Sequence, residues 1–199
     1  MKLSAVEKML VNNPVRAFLQ QQIEIPLLLD GFDSIRGKTV LEIGCGQGVL
    51  TQMLLQKFGA KHVIAFDLDP RQVSRATNRL NASNSEKLSL LVANAESIPL
   101  ADSTVDAVVE IATLHHLLTW PQCVKEIARV LKAGGGFFFE EPSRTLTDNS
   151  LVRFLLRHRE EHGFTRNEFR HSLERAGFNN LKSIEPLGIF IFGHATTIS

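Results

Sequence analysis

Thr39–Gly48 reads TVLEIGCGQG, and the rest of the chain is interpreted around it. Thr39-Val40-Leu41-Glu42-Ile43 is an apolar run rich in β-branched residues, the pattern of a strand buried on both faces of a parallel sheet. The run breaks at Gly44, and Gly44, Gly46 and Gly48 form a G-x-G-x-G loop. Beyond it Val49-Leu50, Met53-Leu54-Leu55 and Phe58 recur at helical spacing. Strand, glycine loop and helix open a nucleotide-binding α/β sheet. Glycine serves in such a loop because the backbone turns tightly and a ligand approaches where a Cβ would collide. The helix start offers unpaired N–H groups and a partial positive charge. A dinucleotide fingerprint, G-x-G-x-x-G, needs glycine at position 49. Val49 stands there, which argues against a nicotinamide dehydrogenase.

Downstream, strand and helix patterns alternate. Lys61–Phe66 predicts a second strand ending at Asp67. That acid follows the loop by roughly 20 residues, where an open α/β sheet places a carboxylate on ribose hydroxyls. Asp69-Pro70 has the form of a cap and first position for a helix over Pro70–Leu80. A polar turn at Asn81–Glu86 leads to a third strand, Lys87–Val92. Ala107–Ile111 predicts the fourth strand, with Asp106 capping its start. Trp120-Pro121 opens a helix that the glycines of Leu131–Gly136 end, before a fifth strand at Phe137–Phe139. Glu140-Glu141 follows it, facing either an acceptor or solvent. Thr165–Ala176 predicts a capped helix with Glu168 in the capping-box place. Asn180–Ile184 and Ile189–Phe192 predict the last two strands.

Composition bounds the function classes. A chain of 199 residues with 44% hydrophobic and 22% charged residues fits one soluble globular domain. The net charge of +1 selects neither nucleic acid nor membrane as a partner. Cys45 and Cys123 form no C-x-x-C, so neither a disulfide framework nor a zinc knuckle is expected. Reduced thiols, no long apolar leader and no apolar run of membrane-spanning length lead to the expectation of a cytoplasmic protein.

Five segments carry a family resemblance. EIGCGQG (Glu42–Gly48) resembles motif I of the class I S-adenosylmethionine (SAM) methyltransferases. Asn94-Ala95, Ile98-Pro99-Leu100 and Val105-Asp106 resemble the "DA…LP…FD" segment of the UbiE-type (type 11) members. Leu114-His115-His116 and Arg129–Gly135 resemble two further family segments, with Ala133 in a proline position. Ala176-Gly177-Phe178 resembles the family's closing turn. The resemblance implies a Rossmann-like class I methyltransferase fold: a seven-stranded, mostly parallel sheet, helices on both faces, and an antiparallel C-terminal hairpin. It implies SAM as cofactor, S-adenosylhomocysteine as product, no metal, and a small-molecule acceptor, in a monomer or homodimer. The alternative is a SAM-binding sensor or partner subunit without transferase activity.

The implied cofactor set is Glu42, Gly44, Cys45, Gly46, Gln47, Asp67, Leu68, Asn94, Ala95, Ile111 and Ala112. Within it Glu42 orients the amino end, Asp67 holds the ribose and Asn94 with Ala95 meets the adenine. Asn94 replaces the family's acid, so an amide oxygen takes over as acceptor. His115 and His116 are the candidate general bases, since a histidine titrates near neutrality. The chain divides into an N-terminal helical cap (1–36), a SAM-binding core (37–141) and acceptor-side helices with the final strands (142–199). The cap is expected to cover the sheet or to close over the ligand, with Asn12, Asn13 and Arg16 as its polar contributors. His158–His162 matches H-x-x-E-H, a metalloprotease spelling. Everything upstream describes a different site, so a solvated face is expected there.

Overall fold

The computed structural model describes residues 35–80, 86–148 and 163–198. The expected N-terminal cap helices, most of the polar turn after Leu80 and the H-x-x-E-H match lie outside the described residues. In chain order the elements are β1 (Thr39–Ile43), α1 (Val49–Gln56), β2 (His62–Asp67), α2 (Pro70–Leu80), β3 (Leu88–Val92) and β4 (Val105–Ile111). A 3-10 turn at Leu114–His116 follows, then α3 (Trp120–Val130), β5 (Leu131–Pro142), α4 (Arg144–Thr147), α5 (Arg166–Arg175), β6 (Phe178–Ile184) and β7 (Phe190–Thr197).

The strands form one sheet of seven, in the order β3-β2-β1-β4-β5-β7-β6. Pairs from β3 through β5 are parallel. β7 runs antiparallel to both β5 and β6, so the C-terminal hairpin inserts its second strand next to the parallel set. This is the Rossmann-like architecture that the loop and alternation imply.

Strand alternation divides the core in two. Val40, Val63, Ala65, Ala107, Val109 and Phe138 pack against residues of α1 and α2, among them Leu50, Leu54, Ala76 and Leu80. Leu41, Ile43, Phe66, Val108, Phe137 and Phe139 face Val124, Ile127, Phe169 and Leu173 of α3 and α5. Both faces of the parallel strands are therefore covered, which explains their near-continuous apolar sequences. Burying a side chain of this size contributes about 1.5–3 kcal/mol.

Several boundaries differ from the sequence expectation, the last strand among them: β7 runs to Thr197 rather than ending at Phe192. α3 ends at Val130, because Leu131 turns extended and pairs with Val105 at the start of β4. The next registered pair is Ala107 with Gly136, so Lys132–Gly135 bulge out between them. Gly134 takes φ +71° there. The glycines thus shape a bulge inside a strand rather than the end of a helix. β5 also runs on to Pro142, because β7 supplies a partner along its whole C-terminal half.

The chain order reverses around β1, which lies between β2 and β4. Open α/β sheets bind ligands at that point, beyond the carboxyl ends of the strands. The loops after β1 and β4 meet there.

Candidate functional site

The glycine loop is fixed from beneath by the end of β2. The amides of Gly44 and Cys45 both donate to the Phe66 carbonyl, at 2.9 Å each. Gly44 has φ +73°, and a Cβ added to it would lie 2.2 Å from Thr113 Oγ1. Here the glycine accommodates the loop after β4. Gly46 differs: at φ +52°, an added Cβ would meet nothing within 4 Å among the described residues, which leave the space above it open. Gly48 closes the loop as the N-cap of α1, against Ala76 and Leu80 of α2.

Asp67 terminates β2 and reaches back to this loop. Its Oδ2 accepts from the Gly46 amide at 3.0 Å, and its Oδ1 accepts from the Asp69 amide at 2.8 Å. Asp69 in turn accepts from the Arg71 amide, the capping role expected of it. Beneath the loop Glu42 is buried and receives the Thr51 hydroxyl at 2.5 Å. Burial pushes the Glu42 carboxyl up to about 8; the Thr51 hydrogen bond opposes this and the charge of Asp67 adds to it. Burial, then the charges of Glu42 and Asp67, also pushes the Cys45 thiol up.

The third strand brings Asn94 to the same edge, since the Ala93 amide donates to the Asp67 carbonyl. Asn94 Oδ1 accepts from the Glu96 amide at 3.0 Å, which curls the segment into a turn. Ala95 is buried beneath it and Leu68 is exposed. Gln47 accepts from Arg79 of α2 at 3.3 Å.

The loop after β4 forms the opposite wall. Ala112 has φ +52°, a strained conformation for an alanine, and its amide donates to the Glu140 carbonyl at 2.7 Å. His115 is buried, and its Nδ1 lies 2.7 Å from Glu141 Oε2. The rings of His115 and His116 lie 3.9 Å apart, centroid to centroid. Glu140 and Glu141 are 1% and 0% exposed, so neither is solvated. At the other end of β4, Asp106 accepts from the Thr39 amide and from Lys132 Nζ. It belongs to the opposite edge of the sheet, in agreement with a structural role.

Comparison with known proteins identifies this architecture. The methyltransferase domain family model matches residues 41–139, from within β1 to within β5. The chain belongs to this family. A probable SAM-dependent methyltransferase of Mycolicibacterium smegmatis is 33% identical over 108 residues, covering 54% of this chain and 39% of that protein. A malonyl-[acyl-carrier protein] O-methyltransferase of Geobacter sulfurreducens is 29% identical over 178 residues, covering 84% of this chain and 64% of that protein. The chain therefore spans less than two thirds of these curated relatives. The crystal structure of a SAM-dependent methyltransferase from Aquifex aeolicus superposes with a TM-score of 0.77 at 22% identity, over 99% of this chain and 100% of that one. It shares the fold. The wider class is what these matches carry, and the UbiE-type grouping rests on the segment motifs alone.

The motif I loop is tied to Asp67 through the Gly46 amide, Asp67 to the Asn94 segment through the Ala93 amide, and the loop after β4 to Gly44 through the Thr113 side chain. Among the described residues, no group of three His, Cys, Asp or Glu is arranged to hold a metal ion. No described helix is long and apolar enough to cross a membrane. Sequence reasoning missed Thr113, whose side chain packs on Gly44, and Glu110, a buried acid at the end of β4. Glu110 was detectable as a lone acid near the end of an otherwise doubly buried strand.

Proposed function

We propose that this chain is a SAM-dependent methyltransferase acting on a small-molecule acceptor. The supporting observation is the open space above Gly46, bordered by the Asp67 carboxylate. An adenosyl ligand fits it, because a Cβ at Gly46 would occupy the space and a carboxylate beside it can accept from two ribose hydroxyls. Gly44, Cys45, Gly46 and Gln47 present backbone to the methionyl part and ribose. Glu42, beneath them, meets the amino end, and Leu68, Asn94 and Ala95 hold the adenine side. Ile111 and Ala112 line the donor end. When bound, SAM supplies a methyl group already activated by its sulfonium. The protein aligns the acceptor with it and excludes water, and His115 or His116 takes the acceptor's proton where one is lost.

An oxygen acceptor is the reading favoured by the relatives, two of which are named a fatty-acid O-methyltransferase and a malonyl-[acyl-carrier protein] O-methyltransferase. Those names also weigh against a binding protein without transferase activity. A cytoplasmic protein, as monomer or homodimer, remains part of the proposal. Calorimetric titration with SAM, S-adenosylhomocysteine and NAD tests the cofactor. Binding of both sulfur ligands is expected, and binding of NAD alone would overturn the proposal. Transfer of a labelled methyl group from SAM into carboxylate acceptors tests the chemistry.

A further inference from the structure

Two acids and a histidine are buried together where β4 and β5 end. The Glu141 carboxylate accepts from the amides of Thr113, Leu114 and His115 at 2.9, 2.5 and 3.3 Å, and from His115 Nδ1 at 2.7 Å. The Glu110 carboxyl reaches the same Thr113 amide at 2.5 Å. Both acids are 0% exposed. Four donors on one carboxylate are what a buried charge needs. Glu110 Oε2 meets no donor if that acid is ionised. As a neutral acid it has a proton to give, and Glu141 is its neighbour. Two carboxylates in one buried site do not both ionise.

The electrostatics agree with this asymmetry. Burial, then the charge of Glu141, holds Glu110 well above the usual carboxylate range. Burial works against the Glu141 charge, but the His115 ring, the Glu110 hydrogen bond and the Leu114 amide together hold it below that range. Also around the pair are His116 on the 3-10 turn and the Cys123 thiol of α3, a thiol that burial, then the charges of Glu110 and Glu141, pushes up. Across the sheet, Glu141 faces apolar Ile191 of β7.

We propose that Glu141 is a positioning residue for the transfer reaction: it fixes the Thr113–His116 loop against Gly44 and holds the His115 ring with its Nδ1–H toward itself. The proposal rests on the methyltransferase reading above. Glu110 is the neutral donor that completes the array. In the neutral ring this arrangement leaves the lone pair on Nε2. The array ends on His116, the partly exposed ring tilted against His115.

The two acids then respond differently to the same substitution. Glu110→Gln keeps a neutral donor toward Glu141, so its loss of kcat should be smaller than that of Glu141→Gln. Glu141→Gln turns an NH2 group on the loop amides, and kcat should fall about tenfold or more while the KM for SAM changes little. Nitrogen-15 NMR of the histidine side chains in ligand-free protein gives a readout independent of turnover. The His115 ring should carry its proton on Nδ1 in wild type and in Glu110→Gln, and lose that preference in Glu141→Gln. A wild-type His115 ring protonated only on Nε2 would overturn the assignment even if the variants failed to fold. Equal losses of kcat in both variants, or none in Glu141→Gln, would overturn the positioning role. Absence of SAM binding to wild type, by contrast, would defeat the underlying methyltransferase reading.

Discussion

At the scale of the residue, the site turns on carboxylates doing different work within one edge of a sheet. Asp67 is tied to the Gly46 amide, so the acid that would hold a ribose also sets the height of the loop around it. Glu42 is the opposite case. It is held near pH 8 by burial and is protonated at neutrality. A ligand ammonium brought to it favours the ionised form, so binding draws the proton off. SAM affinity should therefore rise with pH up to about 8. About one proton per SAM should be released near pH 7. Calorimetry in buffers of different ionisation enthalpy measures that release. Glu42→Gln should abolish it, and a binding enthalpy independent of buffer in wild type would contradict the role given to Glu42.

At the scale of the element, much was readable because local signals agreed with the tertiary answer. The capping box at α5 is an example: Thr165 accepts from the Glu168 amide, and Glu168 accepts from the Thr165 amide. Thr165→Ala should destabilise the protein by about 0.5–2 kcal/mol, read as a lower midpoint in denaturant. An unchanged midpoint would mean that packing of Phe169 and Leu173 alone sets the helix start. The bulge at Lys132–Gly135 was not readable. Three consecutive glycines signal a backbone special, but only the pairing of Leu131 with Val105 decides between helix end and strand bulge. That partner is distant in sequence. The extension of β5 to Pro142 was hidden for the same reason, since β7 is the strand that supports it.

At the scale of the whole molecule, the glycine loop, Asp67 and the histidine segment could be placed at one edge from sequence, because βα alternation sends every such loop there. The burial of Glu110, Glu140 and Glu141 could not. Glu110 and Glu141 alternate onto the face that α3 and α5 cover, Glu140 onto the opposite face, and β7 pairs alongside β5, which no local pattern records. The same distribution of acids sets the pH response of folding. Glu126, held low by the Arg129 guanidinium, and Glu168, held low by the Thr165 amide, contribute stability above the ordinary carboxylate range. That contribution is lost as pH falls through their depressed values. Glu42 has the opposite sign: its contribution is full below its ordinary value of 4.5 and is lost as pH rises toward about 8. Ligand-free Glu42→Gln should therefore gain thermal stability relative to wild type between pH 5 and about 8. A melting difference that is constant across that range would contradict the assigned burial.

The account depends on a single adenosyl group gripped between the Gly44–Gly48 loop and the second strand's carboxylate. Titrating S-adenosylhomocysteine into wild type and Asp67→Ala tests it most directly. Loss of a charged acceptor for two hydroxyls should weaken binding by about 1.5–3 kcal/mol, roughly tenfold or more, alongside a lower melting midpoint from the freed Gly46 and Asp69 amides. Binding of S-adenosylhomocysteine to Asp67→Ala as tightly as to wild type would contradict it.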